Sequence, residues 1–161
     1  MIVVADTGPI NYLIAIAQIA VLPKLYRRIL IPDSVRGELQ KDAAPSVVRQ
    51  WIAKPPEWLE IRTPIRIPDA ELLRARIGPG ERDAILLAEE TGADELIVDD
   101  LRGRREAERR RLHAIGTLGV LRLGAKRQYL SLKDALTSLR ATNFYIDQEL
   151  FDRLIAEAEH E

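Results

Sequence analysis

The sequence predicts an α/β protein in which a mostly parallel sheet is covered by helices on both faces. Three observations carry that expectation. Short apolar runs alternate with stretches of helical periodicity from end to end. Two of those runs, closing at Asp6 and at Asp99-Asp100, end on carboxylates with a helix directly behind. And 161 residues, 47% apolar and 30% charged, are enough for one domain with its own core.

The first run is Met1 to Ala5, a buried strand that delivers Asp6, and Pro9 suits the first turn of the helix behind it. Ile10, Leu13, Ile14 and Ala17 carry that helix to about Gln18, and a shorter one covers Val21 to Tyr26, with Pro23 as a point of interruption. Arg28 to Ile31 reads as the second buried strand, closed by Pro32. A helix from Asp33, capped by Asp33 or Ser34, carries Val35, Glu38 and Leu39, and Gly37 within it suggests a close approach by another group. Ser46 to Ala53 reads as a helix, Pro55-Pro56 as its break and Trp58 to Ile61 as the third strand. Arg62 to Pro68 is extended and belongs at an edge.

Asp69 to Ile77 predicts a helix, Gly78-Pro79-Gly80 a turn, and Glu81 to Thr91 a strong helix ended by Gly92. Glu95 to Val98 is the fourth strand. A very basic helix follows from Leu101 to Leu112, then a short strand over 113–115 and a helix from Thr117 to Arg127. Ser131 caps a helix to about Arg140, and Asp147 begins the last one. A single domain over 1–161 is expected.

Composition excludes several classes. Without cysteine there are no disulfides and no thiolate metal sites. The longest apolar stretch, Ile10 to Leu22, is too short and too polar to span a bilayer, and with no basic leader before it a soluble cytoplasmic protein is expected. A net charge of −1 argues against a generally basic nucleic-acid binder. The charge is unevenly spread, however: Arg102, Arg104, Arg105, Arg109, Arg110 and Arg111 follow directly on Asp99-Asp100. That run reads either as a solvated helix face paired with Glu106 and Glu108 or as a surface that tracks phosphates.

Parallel strands bring their carboxyl ends to one edge, so Asp6, Glu38 and Asp100 or Asp99 belong together there, with Asp83 the hardest to place. Each also has a local reading, Asp6 as a helix cap and Glu81 and Asp83 as complements to a helix dipole. Carboxylates crowded at a dry edge repel one another unless a cation lies among them, and a hard divalent ion, Mg²⁺ or Mn²⁺, suits oxygen donors. Hydrolysis of a phosphodiester by an activated water is the reaction such parts allow.

With these residues assembled, the chain resembles the PIN-domain nucleases, most closely the short prokaryotic branch related to VapC-like toxins. The matching stretches are Val3 to Ile10, Leu30 to Leu39, Gly78 to Ile85, Leu96 to Arg105 and Ile115 to Leu121, with the tail around Phe144 to Leu154. The resemblance implies a three-layer α/β/α fold, the helices from about 131 to 158 being a family extension. It also implies a Mg²⁺- or Mn²⁺-dependent ribonuclease that cuts single-stranded RNA and often pairs with an antitoxin; apart from the resemblance, the apolar helices from Ile10 to Tyr26 and from Leu118 offer a surface for a homodimer. By position the four family acids fall on Asp6, Glu38, Asp83 and Asp100. Thr7 is expected to hold the first acid by hydrogen bonding, Glu81 is a rival or helper at the third position, and Asp99 is a rival at the fourth. Arg102, Arg104, Arg105 and Arg109 are expected to position RNA. The chain departs from the family at Val98, where many members carry a hydroxyl residue.

Parts of this pattern also occur in two other enzyme classes. Asp6-Thr7-Gly8 is also the aspartic-protease triplet, but that fold is all-β and needs two copies. A phosphotransferase using Asp6 as nucleophile lacks its usual second acid, because Gly8 stands there. The alternative within the fold is a non-catalytic RNA- or protein-binding module.

Overall fold

The computed structural model describes residues 1–159. Five parallel strands form one sheet: β1 (Val3–Ala5), β2 (Ile29–Ile31), β3 (Leu59–Ile61), β4 (Glu95–Ile97) and β5 (Ala114–Ile115). Their spatial order is β3-β2-β1-β4-β5. The chain therefore builds outward from β1 in one direction, then returns across β1 to build in the other. The switch point lies between β1 and β4, where Val3, Val4 and Ala5 pair with Glu95, Leu96 and Ile97.

Successive strand residues point to opposite faces, and each face has its own core. Val3, Ala5, Ile29, Ile31 and Ile97 pack beneath α1 (Thr7–Ala15), α2 (Val21–Tyr26), α3 (Asp33–Gln40), α4 (Ser46–Ala53), α8 (Thr117–Lys126), α9 (Leu132–Arg140) and α10 (Gln148–Glu159). Val4, Leu30, Leu96 and Val98 meet α5 (Ala70–Arg74), α6 (Pro79–Thr91) and α7 (Leu101–Arg109) on the other side. The expected three-layer α/β/α architecture is what this alternation produces. Among the described residues no helix is long and apolar enough to cross a membrane.

Several local expectations are corrected. Helix α1 begins at Thr7, because Asp6 adopts extended N-cap geometry. Pro23 falls in the first turn of α2, where its missing N–H costs nothing, and does not interrupt it. Helix α3 is preceded by Pro32 in extended conformation, so neither Asp33 nor Ser34 caps it, and Asp33 pairs with Arg36 instead. Nothing comes within 4 Å of a side chain built at Gly37, so the close approach expected there does not exist. Gly78-Pro79-Gly80 is a helix start rather than a turn: Gly78 is the N-cap and Pro79 the first residue of α6. Gly92 ends that helix in the left-handed region at φ 61°, as its position suggested.

The C-terminal helices are integral to the first core through Leu132, Leu136, Leu139 and Leu154. The apolar faces of α1, α2 and α8, the surfaces from which a dimer contact was expected, pack on this same core through Leu13, Leu22 and Val120.

Helix α6 joins the second core to the acidic edge through fully buried Leu87. Leu87→Ala is expected to destabilise the fold by about 2–5 kcal/mol, measured as a lower urea midpoint at unchanged slope.

Candidate active site

Asp6 stands at the carboxyl end of the central strand, and its backbone N–H donates to Ile97 O at 2.9 Å, continuing the β1–β4 ladder past the sheet. The side chain is 6% exposed and makes no capping hydrogen bond to α1. Asp6 thus stands at the N-cap position of α1 without the side-chain hydrogen bond that a cap residue makes. Burial pushes its pKa up to about 7, partly opposed by the Thr7 backbone N–H and reinforced by the charges of Glu38, Asp99 and Asp100.

Glu38 comes from α3. The Thr7 hydroxyl donates to its Oε2 at 2.5 Å. Thr7 therefore steadies the second acid through its side chain and the first only through its backbone, where the resemblance had assigned the hydroxyl to Asp6. Glu81 lies in the first turn of α6, and burial followed by the charges of Asp6, Asp100 and Glu38 raises its pKa to about 7. One of its oxygens, Oε2, is buried without a hydrogen-bond partner.

Asp99 and Asp100 flank Asp6 in different ways. Asp99 accepts from the Thr117 backbone N–H at 2.7 Å and from its hydroxyl at 2.6 Å. Burial still raises its pKa, against those bonds and the Arg104 charge. Asp100 is exposed and caps α7, its Oδ1 accepting from Gly103 N–H at 3.0 Å. Both charges act on Asp6, but only that of Asp100 also reaches Glu81.

Asp83 is not among the groups acting on Asp6 or on Glu81. Because α6 starts at Pro79, Glu81 and Asp83 are two residues apart on a formed helix and face different directions. The grouping at this edge is Asp6, Glu38, Glu81, Asp99 and Asp100, with Glu81 in the place assigned to Asp83.

Three glycines seat these acids. A Cβ on Gly80 would lie 2.8 Å from Glu38 Oε1, one on Gly103 3.1 Å from Glu81 Oε2, and one on Gly116 2.9 Å from Asp99 Oδ1. Each comes from the first turn of a helix or the residue just before it, at α6, α7 and α8 respectively. Sequence reading missed all three, although a glycine inside a basic helix at 103 was a visible signal.

The donor set suits a hard divalent cation: carboxylate oxygens only, three groups with raised proton affinity, and an orphaned buried oxygen on Glu81. Among the described residues no three acids converge closely enough to complete a metal shell by themselves. Water and substrate oxygens would have to supply the rest, as Mg²⁺ commonly accepts.

The arginines divide. Arg102, Arg105 and Arg109 line an open cleft between α5 and α7, whereas Arg104 lines a separate hollow with Asp99 and Gly116. Arg110 is consumed in the fold, pairing with Asp69 and Glu89.

Comparison with known proteins places this geometry. The family model described as DUF3368: PIN domain matches residues 2–160. No curated protein matches the sequence. Among solved structures, a PilT N-terminus domain protein from the archaeon Sulfolobus solfataricus P2 superposes with a TM-score of 0.52 at 14% identity, covering 91% of this chain and 100% of that one. At that identity the likeness concerns the fold.

Two outcomes test the site. Gly80→Ala is expected to push Glu38 off its Thr7 hydrogen bond and weaken Mn²⁺ binding by about tenfold or more in calorimetry, while Gly37→Ala, in open space, leaves it intact. The second concerns pH. Asp6 has its native pKa raised from 3.8 to about 7, so across that window the folded state retains a proton the unfolded chain has lost. The stabilisation is full below the window and is lost as pH rises through it. The cation-free protein should therefore show a melting midpoint that falls between about pH 4 and pH 7 and recovers with Mn²⁺ at the upper end.

Proposed function

The chain belongs to the PIN-domain family, whose members are generally nucleases that use divalent metal ions, and on that premise we propose that it is a Mg²⁺- or Mn²⁺-dependent endoribonuclease cutting single-stranded RNA. The observation that carries the reading is the gathering of Asp6, Glu38, Glu81 and Asp100 at the switch point, where burial, reinforced by the charges of the neighbouring acids, leaves Asp6 and Glu81 with raised proton affinity. A bound divalent cation would supply charge stabilisation at the phosphate and a more acidic water.

The chain's own residues do the rest. Asp6, Glu38, Glu81 and Asp100 would hold the cation, with Asp83 left to a peripheral role. Thr7 keeps Glu38 from swinging into solvent, and Thr117 keeps Asp99 beside Asp6. An edge carboxylate accepts the proton of the attacking water as oxygen adds to phosphorus and the bond to the leaving nucleotide oxygen breaks. Arg102, Arg105 and Arg109, exposed beside this edge, neutralise the strand.

Within the same proposal the protein is the toxin of a toxin–antitoxin pair. Ile65 and Ile67, 92% and 87% exposed, offer a partner protein or a second copy an apolar foothold away from the acids. A second reading, a binding module without catalysis, draws on the lack of a closed three-acid metal arrangement among the described residues.

Cleavage of a labelled single-stranded oligoribonucleotide with Mn²⁺ separates the two. Asp6→Asn and Glu81→Gln are each expected to slow cleavage by about 100-fold or more with circular dichroism unchanged, and Asp83→Asn by far less. Absence of Mn²⁺-dependent cleavage by the parent protein favours the binding module. An Asp83→Asn defect equal to that of Glu81→Gln restores Asp83 to the site.

A further inference from the structure

The feature that the acidic edge does not explain is the cleft between α5 and α7, about 500 Å³ in volume. Arg74 and Arg76 enter it from the α5 side, and Arg102, Arg105 and Arg109 from α7. All five are exposed. Glu71 and Glu106 also line it, but among the described residues only Arg109 pairs with either, Glu106 at 3.3 Å, so five guanidinium groups share two carboxylates and four of the five have no ion-pair partner. In a chain of net charge −1 this is a local concentration of positive charge, maintained against its own repulsion.

The cleft is also fixed in shape. Arg110 makes a two-bonded contact with Asp69, at 3.2 and 2.6 Å, and bonds Glu89 of α6 at 3.1 and 2.9 Å. Asp69 is the N-cap of α5, accepting from Leu72 N–H, so Arg110 locks the short α5 to α7 and α6 at once. Fixed donors of this kind match phosphate oxygens, which accept from the planar guanidinium fork.

We infer that this cleft is a backbone-binding site for the single-stranded RNA, in which Arg74 of α5, Arg76 just beyond it, and Arg102, Arg105 and Arg109 of α7 bind phosphates flanking the scissile bond. The inference rests on the nuclease reading for the identity of its ligand. Its position supports it. Ile77 lines the cleft and directly precedes Gly78, the N-cap of the helix bearing Glu81; Arg102 lies two residues beyond Asp100. The cleft is thus lined by residues that adjoin, in sequence, those carrying Glu81 and Asp100. From Arg102 to Arg109 the helix rises about 10 Å, enough to meet more than one phosphate. No aromatic side chain lines it, so it holds the backbone without reading bases and adds affinity rather than sequence preference. Arg104 is not part of this site, since it turns to the Asp99 side.

The test is equilibrium binding of an unstructured, fluorescein-labelled oligoribonucleotide to the full chain carrying Asp6→Asn, measured across salt concentrations. Adding Arg74→Ala and Arg76→Ala should weaken binding by about tenfold or more at low salt. It should also make the log K against log[salt] slope shallower by about 1.4, two contacts at about 0.7 each. Lysine at both positions should restore most of the slope. Arg122→Ala, which removes an arginine paired with Glu157 outside this cleft, should change neither quantity. With Asp6 intact, the double alanine variant should raise KM at nearly constant kcat.

An unchanged slope, an equal loss from Arg122→Ala, no RNA binding by the parent, or competition by polyaspartate as strong as by RNA of equal charge would each overturn the inference. Arginine-dependent binding without Mn²⁺-dependent cleavage would support the cleft and reject the nuclease reading. Cleavage with a KM indifferent to both arginines would do the reverse.

Discussion

Everything at the candidate site depends on one constraint: Asp6 is carried by the most enclosed strand of the sheet and cannot leave it. Strand β1 is paired on both sides, with β2 and β4, and its three residues have no measurable exposure. The ladder extends through Asp6 N–H to Ile97 O, which fixes the backbone at the point where the side chain enters a nearly dry space. An ionised carboxylate there is costly, and the nearby acids add to the cost. The fold accepts this because its cores, on both faces of the sheet, are made elsewhere.

The remaining acids are held around this fixed point by contacts between residues distant in sequence. Thr7, next in sequence to Asp6, reaches Glu38 on α3, and Thr117 at the start of α8 reaches Asp99. Glycines at 80, 103 and 116 let three helix starts approach the acids to distances that a methyl group would forbid. Hydroxyl and glycine thus act together: one pulls a carboxylate into position, and the other clears the space into which it is pulled. The arrangement explains why Gly-Pro-Gly-Glu, Arg-Gly-Arg and Ile-Gly-Thr each place a glycine where a helix begins near the edge.

Much of this was legible in the sequence and some was not, for physical reasons. The strands were visible because a parallel sheet buried on both faces requires unbroken apolar runs, and the carboxylate closing two of them marked the edge. Helix boundaries around Gly78-Pro79-Gly80 were misread because the same dipeptides serve turns and helix starts, and the choice is made by what Gly80 packs against. Gly37 drew attention for its cost in a helix, yet the glycines that matter are those facing an acid from another element, a relation with no local signature. Asp83 and Glu81 could not be ranked until the helix phase was known. Once α6 starts at Pro79, the phase sends them to different directions.

The arginine run shows how far composition can be divided by geometry. Six arginines from 102 to 111 look alike as text, and their charges sum to one patch. On α7 and just beyond, they have separate occupations: Arg104 leans toward Asp99, Arg110 is spent on Asp69 and Glu89, and Arg102, Arg105 and Arg109 face the cleft. The pair held by Arg110 is what brings α5 close, and with it Arg74 and Arg76, residues that nothing in their own neighbourhood marked as cationic partners of α7. A structural ion pair therefore determines which other arginines become neighbours. The repulsion among those neighbours, placed beside the repulsion among the acids, produces two opposed fields along one edge. A polyanion that needs cleaving at one phosphate and holding at others is the ligand whose charge pattern fits both.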